Sequence, residues 1–303
     1  MRQASIVRDA LAVNGIASEL LKIRTAGDKH LDKPLASIGG KGLFTRELEL
    51  ALLKGKVDIC VHSLKDLPTE SPAGLRLAAL LEREDPRDVL VVGELLSADS
   101  IAALPAGTRV GTSSLRRRSQ LLSMRPDLEV AELRGNVPTR IRKVDEGLVH
   151  AAILAAAGIH RLAAHQHIRC YLDAPQWLPA AGQGVIAVQI RDGDSDLQEM
   201  VASLHHEPSA IAARAERAFL QAMDGGCQVP VGALAGIRDG QLVLHGFIGD
   251  EGGTQSVRGE QPVDARDPER AGRALARTIR SQGGEELVRR LRDLAEMPSP
   301  QPE

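Results

Sequence analysis

Basic and hydroxyl side chains concentrate between Gly111 and Arg142, where the sequence runs Gly-Thr-Ser-Ser-Leu-Arg-Arg-Arg and, after an intervening helix and strand, Leu-Arg-Gly-Asn-Val-Pro-Thr-Arg-Ile-Arg. Each run opens a helix. Small hydroxyl residues follow an apolar strand closing at Val110, and Asn136 ahead of Pro138 is an N-cap with an early proline. Helix starts project free backbone N–H groups, and the helix dipole favours negative charge there. Arg116, Arg117, Arg134 and Arg140 near two such ends indicate capture of a small anion with several acceptor oxygens, a polycarboxylate or a phosphate. The competing reading is a solvated basic face, and two helix starts in succession weigh against it.

Three further groups carry reactive side chains. His62-Ser63-Leu64-Lys65-Asp66-Leu67-Pro68 follows an alternating strand, Val57 to Val61, and ligand sites of open parallel sheets lie at such strand ends. A carboxylate beside a lysine there serves as a general acid or as counter-charge to a cation, or it is a turn aspartate satisfied by local N–H groups. Cys227 follows two glycines and precedes Gln228-Val229-Pro230, on a loop that bends sharply; a buried, inert thiol is the alternative. His205-His206-Glu207 invites a metal reading, but adjacent side chains diverge on a regular backbone and no third histidine is near, so no metal is expected.

The composition limits the classes of partner. A net charge of -2 argues against bulk attraction to nucleic acid, so the arginine concentration is local and matched to something small. One Trp, one Tyr and three Phe leave little for base stacking. Cys60, Cys170 and Cys227 are odd in number and widely spaced, which supports neither a disulfide framework nor a structural zinc site and suits a reducing cytosol. No apolar run approaches a membrane span, and residues 1–15 lack a hydrophobic signal core.

The 303 residues, 43% of them apolar, divide into units with cores of their own. A helix is expected over residues 3–13, then a strand over Leu20 to Thr25. A long polar loop from Ala26 to Gly42 ends in Gly39-Gly40-Lys41-Gly42 before Thr45 caps the next helix, and it has neither the Walker A nor the dinucleotide spacing. Strands Leu75 to Leu81 and Val89 to Val92 flank the polar stretch Glu84-Asp85-Pro86-Arg87-Asp88. Strand and helix alternate from there to about Pro179, and Val185 to Ile190 is again a strand. Two adjacent crossings, Arg83 to Asp88 and Pro179 to Gly184, make a two-segment hinge and a cleft between two lobes. The expected domains are 1–84 with 182–204, then 85–181, both α/β, and 205–303, a small α+β domain.

Six segments together closely resemble the porphobilinogen deaminase, or hydroxymethylbilane synthase, family. They are Val61-His-Ser-Leu-Lys-Asp-Leu-Pro68, Glu82-Arg-Glu-Asp-Pro-Arg-Asp88, Gly111-Thr-Ser-Ser-Leu-Arg-Arg117, Leu133-Arg-Gly-Asn-Val-Pro-Thr-Arg140, Pro179-Ala-Ala-Gly-Gln-Gly184 and Gly225-Gly-Cys-Gln-Val-Pro230. The resemblance spans nearly the whole chain, with the segments in the family's order. It implies two periplasmic-binding-protein-like, doubly wound α/β domains and a C-terminal α+β domain. It also implies a cytoplasmic, monomeric transferase that joins four porphobilinogen molecules head to tail with loss of ammonia. By the same resemblance Cys227 holds a dipyrromethane cofactor through a thioether, and Asp66 is the catalytic carboxylate, stabilising the cationic azafulvene and moving the proton lost from the attacked pyrrole. Arg116, Arg117, Arg134, Arg140 and Arg161 match positions that bind pyrrole carboxylates, with Lys41, Lys65, Thr112, Ser113, Ser114 and Gln183 in supporting places, and Gly39 to Gly42 matches a lid.

The sequence departs from the family pattern at its start, where Arg2-Gln3-Ala4 already aligns inside the first helix. A central strand of the first domain, ending in an Arg-x-Ser type segment with two ligand-binding side chains, is expected upstream. Without it the chain is expected to fold weakly. Ser37 stands where many relatives carry a lysine. A non-catalytic, two-lobed anion-binding protein with a structural Cys227 is the alternative function.

Overall fold

The computed structural model describes residues 1–23, 25, 45–94, 96–224 and 229–296. Helices α1 (Arg2–Val13) and α2 (Arg46–Leu53) precede strand β1 (Cys60–Ser63), a single 3-10 turn (Leu64–Asp66) and β2 (Leu75–Leu80). The middle of the chain runs β3 (Asp88–Val92), β4 (Arg109–Gly111), α3 (Leu115–Met124), β5 (Glu129–Ala131), α4 (Val137–Asp145), β6 (Ala151–Ala155), α5 (Ala156–His160) and β7 (Cys170–Leu172). Then follow β8 (Ile186–Arg191), α6 (Ser195–Ala202), α7 (Glu207–Ala222), β9 (Val231–Arg238), β10 (Gln241–Gly249), β11 (Ser256–Pro262), α8 (Pro268–Ile279) and α9 (Glu285–Glu296).

The first sheet has the order β1-β8-β2 among the described residues, with β8 antiparallel to both neighbours. The direction of β8 follows from the crossings. The chain leaves β2 and returns into β8 at the same end of the sheet, where Leu81 N–H donates to Ile186 O at 3.0 Å and Glu84 N–H to Gly184 O at 3.2 Å. The open parallel sheet expected for the Lys65-Asp66 turn is therefore corrected: among the described residues both strand pairings of this sheet are antiparallel. Apart from Gln189, which bonds to His62, the buried part of β8 is apolar on both faces because both are covered. Ile186, Val188 and Ile190 pack with Val7, Leu11 and Val201, while Val185 and Ala187 pack with Leu64, Leu67, Ala210 and Ala213.

The second sheet has the order β5-β4-β6-β3-β7; β4 is parallel to β5 and β6, and β3 is antiparallel to β6 and β7. Leu121 and Trp177 cover one face with Leu90, Val110 and Ile153, and Ile141, Val144 and Ile159 cover the other with Val89, Val91 and Leu154. The third sheet is an antiparallel meander, β11-β10-β9, whose apolar face packs on Phe219 of α7 and Leu275 and Ile279 of α8. Its first turn, at Asp239-Gly240, has φ of 53° and 77°, the double positive φ of a tight hairpin turn. No helix among the described residues is long and apolar enough to cross a membrane.

Several local expectations are corrected. No strand forms at residues 20–23, and β1 begins at Cys60 rather than Val57, because Val57 O is taken by Arg191 Nη1 at 2.8 Å. Thr45 stands at the start of α2 without a side-chain cap; its hydroxyl donates to Glu49 Oε2 at 3.3 Å. The cap at Asn136 is made as the sequence expects, and Ser114, Asp194 and Asp267 cap their helices in the same way.

Candidate active site

Both α/β sheets turn the same kind of edge toward the two crossings. Strands β1 and β2 end where β8 begins, so the Lys65-Asp66 turn sits beside residues 182–185, and Leu64 N–H donates to Val185 O at 3.0 Å. In the second sheet the ends of β4, β5 and β6 lie at one edge together with Asp88, the first residue of β3, which pairs with Ala155. Binding groups gather at such strand ends because helix starts and loop amides converge there.

Asp88 is the carboxylate around which this edge is built. It is fully buried and accepts from four side chains: Arg116 Nη1 at 2.8 Å, Arg117 Nη2 at 2.7 Å, Trp177 Nε1 at 2.8 Å and Gln183 Nε2 at 2.9 Å. Burial alone raises its pKa, but Arg116 and Arg117 outweigh that and hold the carboxyl far below the usual carboxylate range. Gln183 extends the network, since its Oε1 accepts from Lys65 Nζ at 3.1 Å and its Nε2 also donates to Pro86 O at 2.7 Å. Lys65 of the first sheet is thus joined through one amide to the paired arginines of the second. Burial pushes the Lys65 ammonium down to about 8; Asp66 and Asp88 oppose that shift, and Arg117 and Arg116 add to it.

The helix starts read from the sequence are present, but Arg116 and Arg117 turn inward rather than outward. Arg116 Nη1 also donates to Leu178 O at 2.6 Å and Arg117 Nη1 to Ile153 O at 2.8 Å, so much of each fork is used inside the protein. Arg117 Nε nevertheless remains buried with no partner, and so does Arg134 Nη2, although Arg134 Nε is held by Glu132 at 2.8 Å. Arg140 Nε donates to Gly135 O at 2.7 Å. Burial, and then the neighbouring Arg117, push the pKa of Arg140 down to about 10, with Asp66 opposing. The charge of Asp66, which is exposed, acts on both Lys65 and Arg140 and favours their protonated forms. Arg161 lies at the second crossing, where its Nη2 donates to Gly184 O at 2.6 Å, and burial lowers its pKa.

The hydroxyl residues shape the loop. Thr112 Oγ1 accepts from Ser114 N–H at 3.2 Å, Ser113 Oγ donates to Leu133 O at 2.7 Å, and Ser114 Oγ accepts from Arg117 N–H at 3.5 Å. His62, buried in β1, has Nε2 3.1 Å from Gln189 Oε1, and burial pushes its pKa down to about 4. His205 and His206 serve the junction: Leu80 N–H donates to His205 Nδ1 at 3.3 Å, and His206 Nδ1 lies 2.8 Å from Ser209 Oγ. Lys41, Ser37, the Gly39 to Gly42 segment and Cys227 lie outside the described residues.

The crossings are tied to the C-terminal unit by a residue the sequence did not single out. Glu216 of α7, fully buried, pairs with Arg83 at 2.6 Å and accepts from Gly182 N–H at 2.7 Å and Ala235 N–H at 2.8 Å. Gly182 (φ 73°) and Gly184 (φ 91°) admit this packing. A Cβ on the first would stand 2.9 Å from Leu64 Cγ, and one on the second would overlap Glu84 O.

Two family models match the chain. One, described as "Porphobilinogen deaminase, dipyromethane cofactor binding domain", covers residues 1–199, and the other, "Porphobilinogen deaminase, C-terminal domain", covers residues 210–281. The chain is 49% identical over 278 residues to a porphobilinogen deaminase of Moorella thermoacetica, covering 92% of this chain and 88% of that one. It is 43% identical over 290 residues to one of Syntrophobacter fumaroxidans, covering 95% and 93%. Among solved structures, the periplasmic VFT2 domain of BvgS from Bordetella pertussis is similar at 15% identity and a TM-score of 0.40, over 67% of this chain and 76% of that one. On the family models and the two relatives, this chain belongs to the porphobilinogen deaminase family.

Proposed function

We propose that this chain joins four porphobilinogen molecules head to tail, releasing ammonia, on a dipyrromethane primer held by Cys227. The observation that carries the reading is the meeting of the Lys65-Asp66 turn with the arginines of the second sheet, where Arg117 Nε and Arg134 Nη2 are buried without partners. A buried guanidinium nitrogen left unpaired is costly, and a ligand carboxylate satisfies it. A pyrrole chain bearing acetate and propionate groups fits such a donor set. When bound, the dipyrromethane supplies the pyrrole carbon at which the chain grows.

The protein's own groups then divide the work. Arg117, Arg134, Arg140 and Arg161 hold carboxylates, with Lys65 and Lys41 adding charge, while Arg116, Gln183, Thr112, Ser113 and Ser114 hold the binding surface in place. Asp66 stands by the cation left when porphobilinogen loses ammonia and accepts the proton released from the attacked pyrrole. We take residues 1–84 with 182–204, 85–181 and 205–303 as its three domains. The pairing of β8 with β1 and β2, and the separate apolar clusters, support this division. Free Cys60 and Cys170 are in keeping with a reducing cytoplasm, where we expect the chain to act as a monomer. The test is to follow porphobilinogen consumption together with ammonia release. Equal molar amounts of each are expected, and binding of porphobilinogen without ammonia release would leave only an anion-binding protein.

A further inference from the structure

We propose that Arg217 is a positioning residue for Asp66, acting from the C-terminal unit on the turn that presents that carboxylate; this rests on the role of Asp66 given above. Helix α7 approaches the turn through small side chains. Ala210 and Ala213 share a buried cluster with Leu64 and Leu67, the residues on either side of Lys65-Asp66. One helical turn beyond Ala213, on the same face, Arg217 Nη2 donates to Pro68 O at 2.7 Å and Nη1 to Leu67 O at 3.3 Å.

The turn is therefore fixed at two ends by different units. Its start is held by Leu64 N–H on Val185 O and closed by Leu67 N–H on Leu64 O at 3.2 Å, both within the first sheet's unit. Its exit is held by Arg217 on the two carbonyls, and further along Gln221 of the same helix donates to Glu70 Oε1 at 3.0 Å. Arg217 has no ion pair among the described residues, and burial pushes its pKa down to about 10. A half-buried cation without a counter-charge among the described residues is a costly way to tie down two carbonyls, and a neutral amide would satisfy them at less cost. What the rigid fork adds is two fixed donors on consecutive carbonyls, which sets the orientation of the peptide segment directly after Asp66. A misplacement of about 1 Å at a reacting group is enough to cost on the order of 100-fold in rate.

The experiment uses Arg217→Met, which keeps the apolar stem, Arg217→Lys, Asp66→Asn and the Asp66→Asn/Arg217→Met double variant, all with the covalent adduct confirmed by intact mass. Arg217→Met is expected to lower kcat per loaded molecule at least tenfold with KM for porphobilinogen within twofold. It is expected to speed amide exchange across residues 64–68 at least tenfold, with emission of the single tryptophan, Trp177, unchanged. Arg217→Lys is expected to recover part of kcat. In the Asp66→Asn background, Arg217→Met is expected to add no further loss in single-turnover rate. Unchanged kcat in Arg217→Met, or an equal loss in the Asp66→Asn background, overturns the proposal while leaving the role of Asp66 standing. Near-native turnover in Asp66→Asn overturns both.

Discussion

Glu216 and Arg83 stand 133 residues apart in sequence and form a two-pronged ion pair, Nη1 to Oε1 at 2.6 Å and Nη2 to Oε2 at 3.2 Å, with the Glu216 side chain fully buried. The pair joins the first crossing to the C-terminal unit, and Gly182 N–H on Glu216 Oε2 brings in the second crossing. Removing one member leaves the other buried and unpaired. Arg83→Leu is expected to destabilise the protein by about 3–5 kcal/mol, measured by urea unfolding. An unchanged midpoint would mean that the crossings are held by packing alone.

A similar argument applies to Asp88. Asp88→Asn removes the counter-charge that Arg116 and Arg117 share among the described residues and is expected to destabilise by about 3–5 kcal/mol. The emission of Trp177, whose indole N–H donates to Asp88, is expected to change in the native state. Native stability together with unaltered emission would show that the network reorganises without Asp88.

Lys65 gives a pH dependence of known sign. With its pKa pushed down from 10.5 to about 8, the ammonium is lost as pH rises through about 8 in the native protein. KM for porphobilinogen is expected to rise above that pH, and Lys65→Met to show a raised KM at pH 7 without the inflection. Between about 8 and 10.5 the unfolded chain carries a proton that the native chain has released, so this lysine adds stability as pH rises across that window. A KM profile of Lys65→Met parallel to that of the natural protein would remove Lys65 from the binding groups.

Asp66→Asn keeps the shape of the side chain and removes its charge and its capacity to accept a proton. Turnover is expected to fall by about 10²- to 10⁴-fold, with the unfolding midpoint nearly unchanged because Asp66 is exposed. Near-native turnover would assign the proton transfer to another group.

What the sequence makes legible is local. The caps at Ser114 and Asn136, the hairpin turn at Asp239-Gly240 and the helix start at Asp267-Pro268 each depend on residues within a few positions, and each forms. The clustering of the arginines near two helix starts is legible in the sequence, but their main internal partner is not. Asp88 reaches Arg116 across 28 residues, Trp177 across 89 and Gln183 across 95, and no short-range pattern encodes those distances. A weak signal was available in an aspartate heading the otherwise apolar strand Asp88-Val-Leu-Val-Val, because a charge in that place needs a partner. Glu216 and Arg217 were hidden for the same reason, lying on an amphipathic helix whose partners are remote in sequence. Strand β7 escaped notice because three residues at a sheet edge carry too little periodicity.

The most direct test of the central claim is the state of Cys227 in active protein. Intact mass before and after brief exposure to porphobilinogen, followed by peptide mapping, is expected to find an adduct on Cys227 that survives denaturation and grows in steps of one pyrrole unit. A free Cys227 thiol in protein that consumes porphobilinogen at full rate would contradict the account.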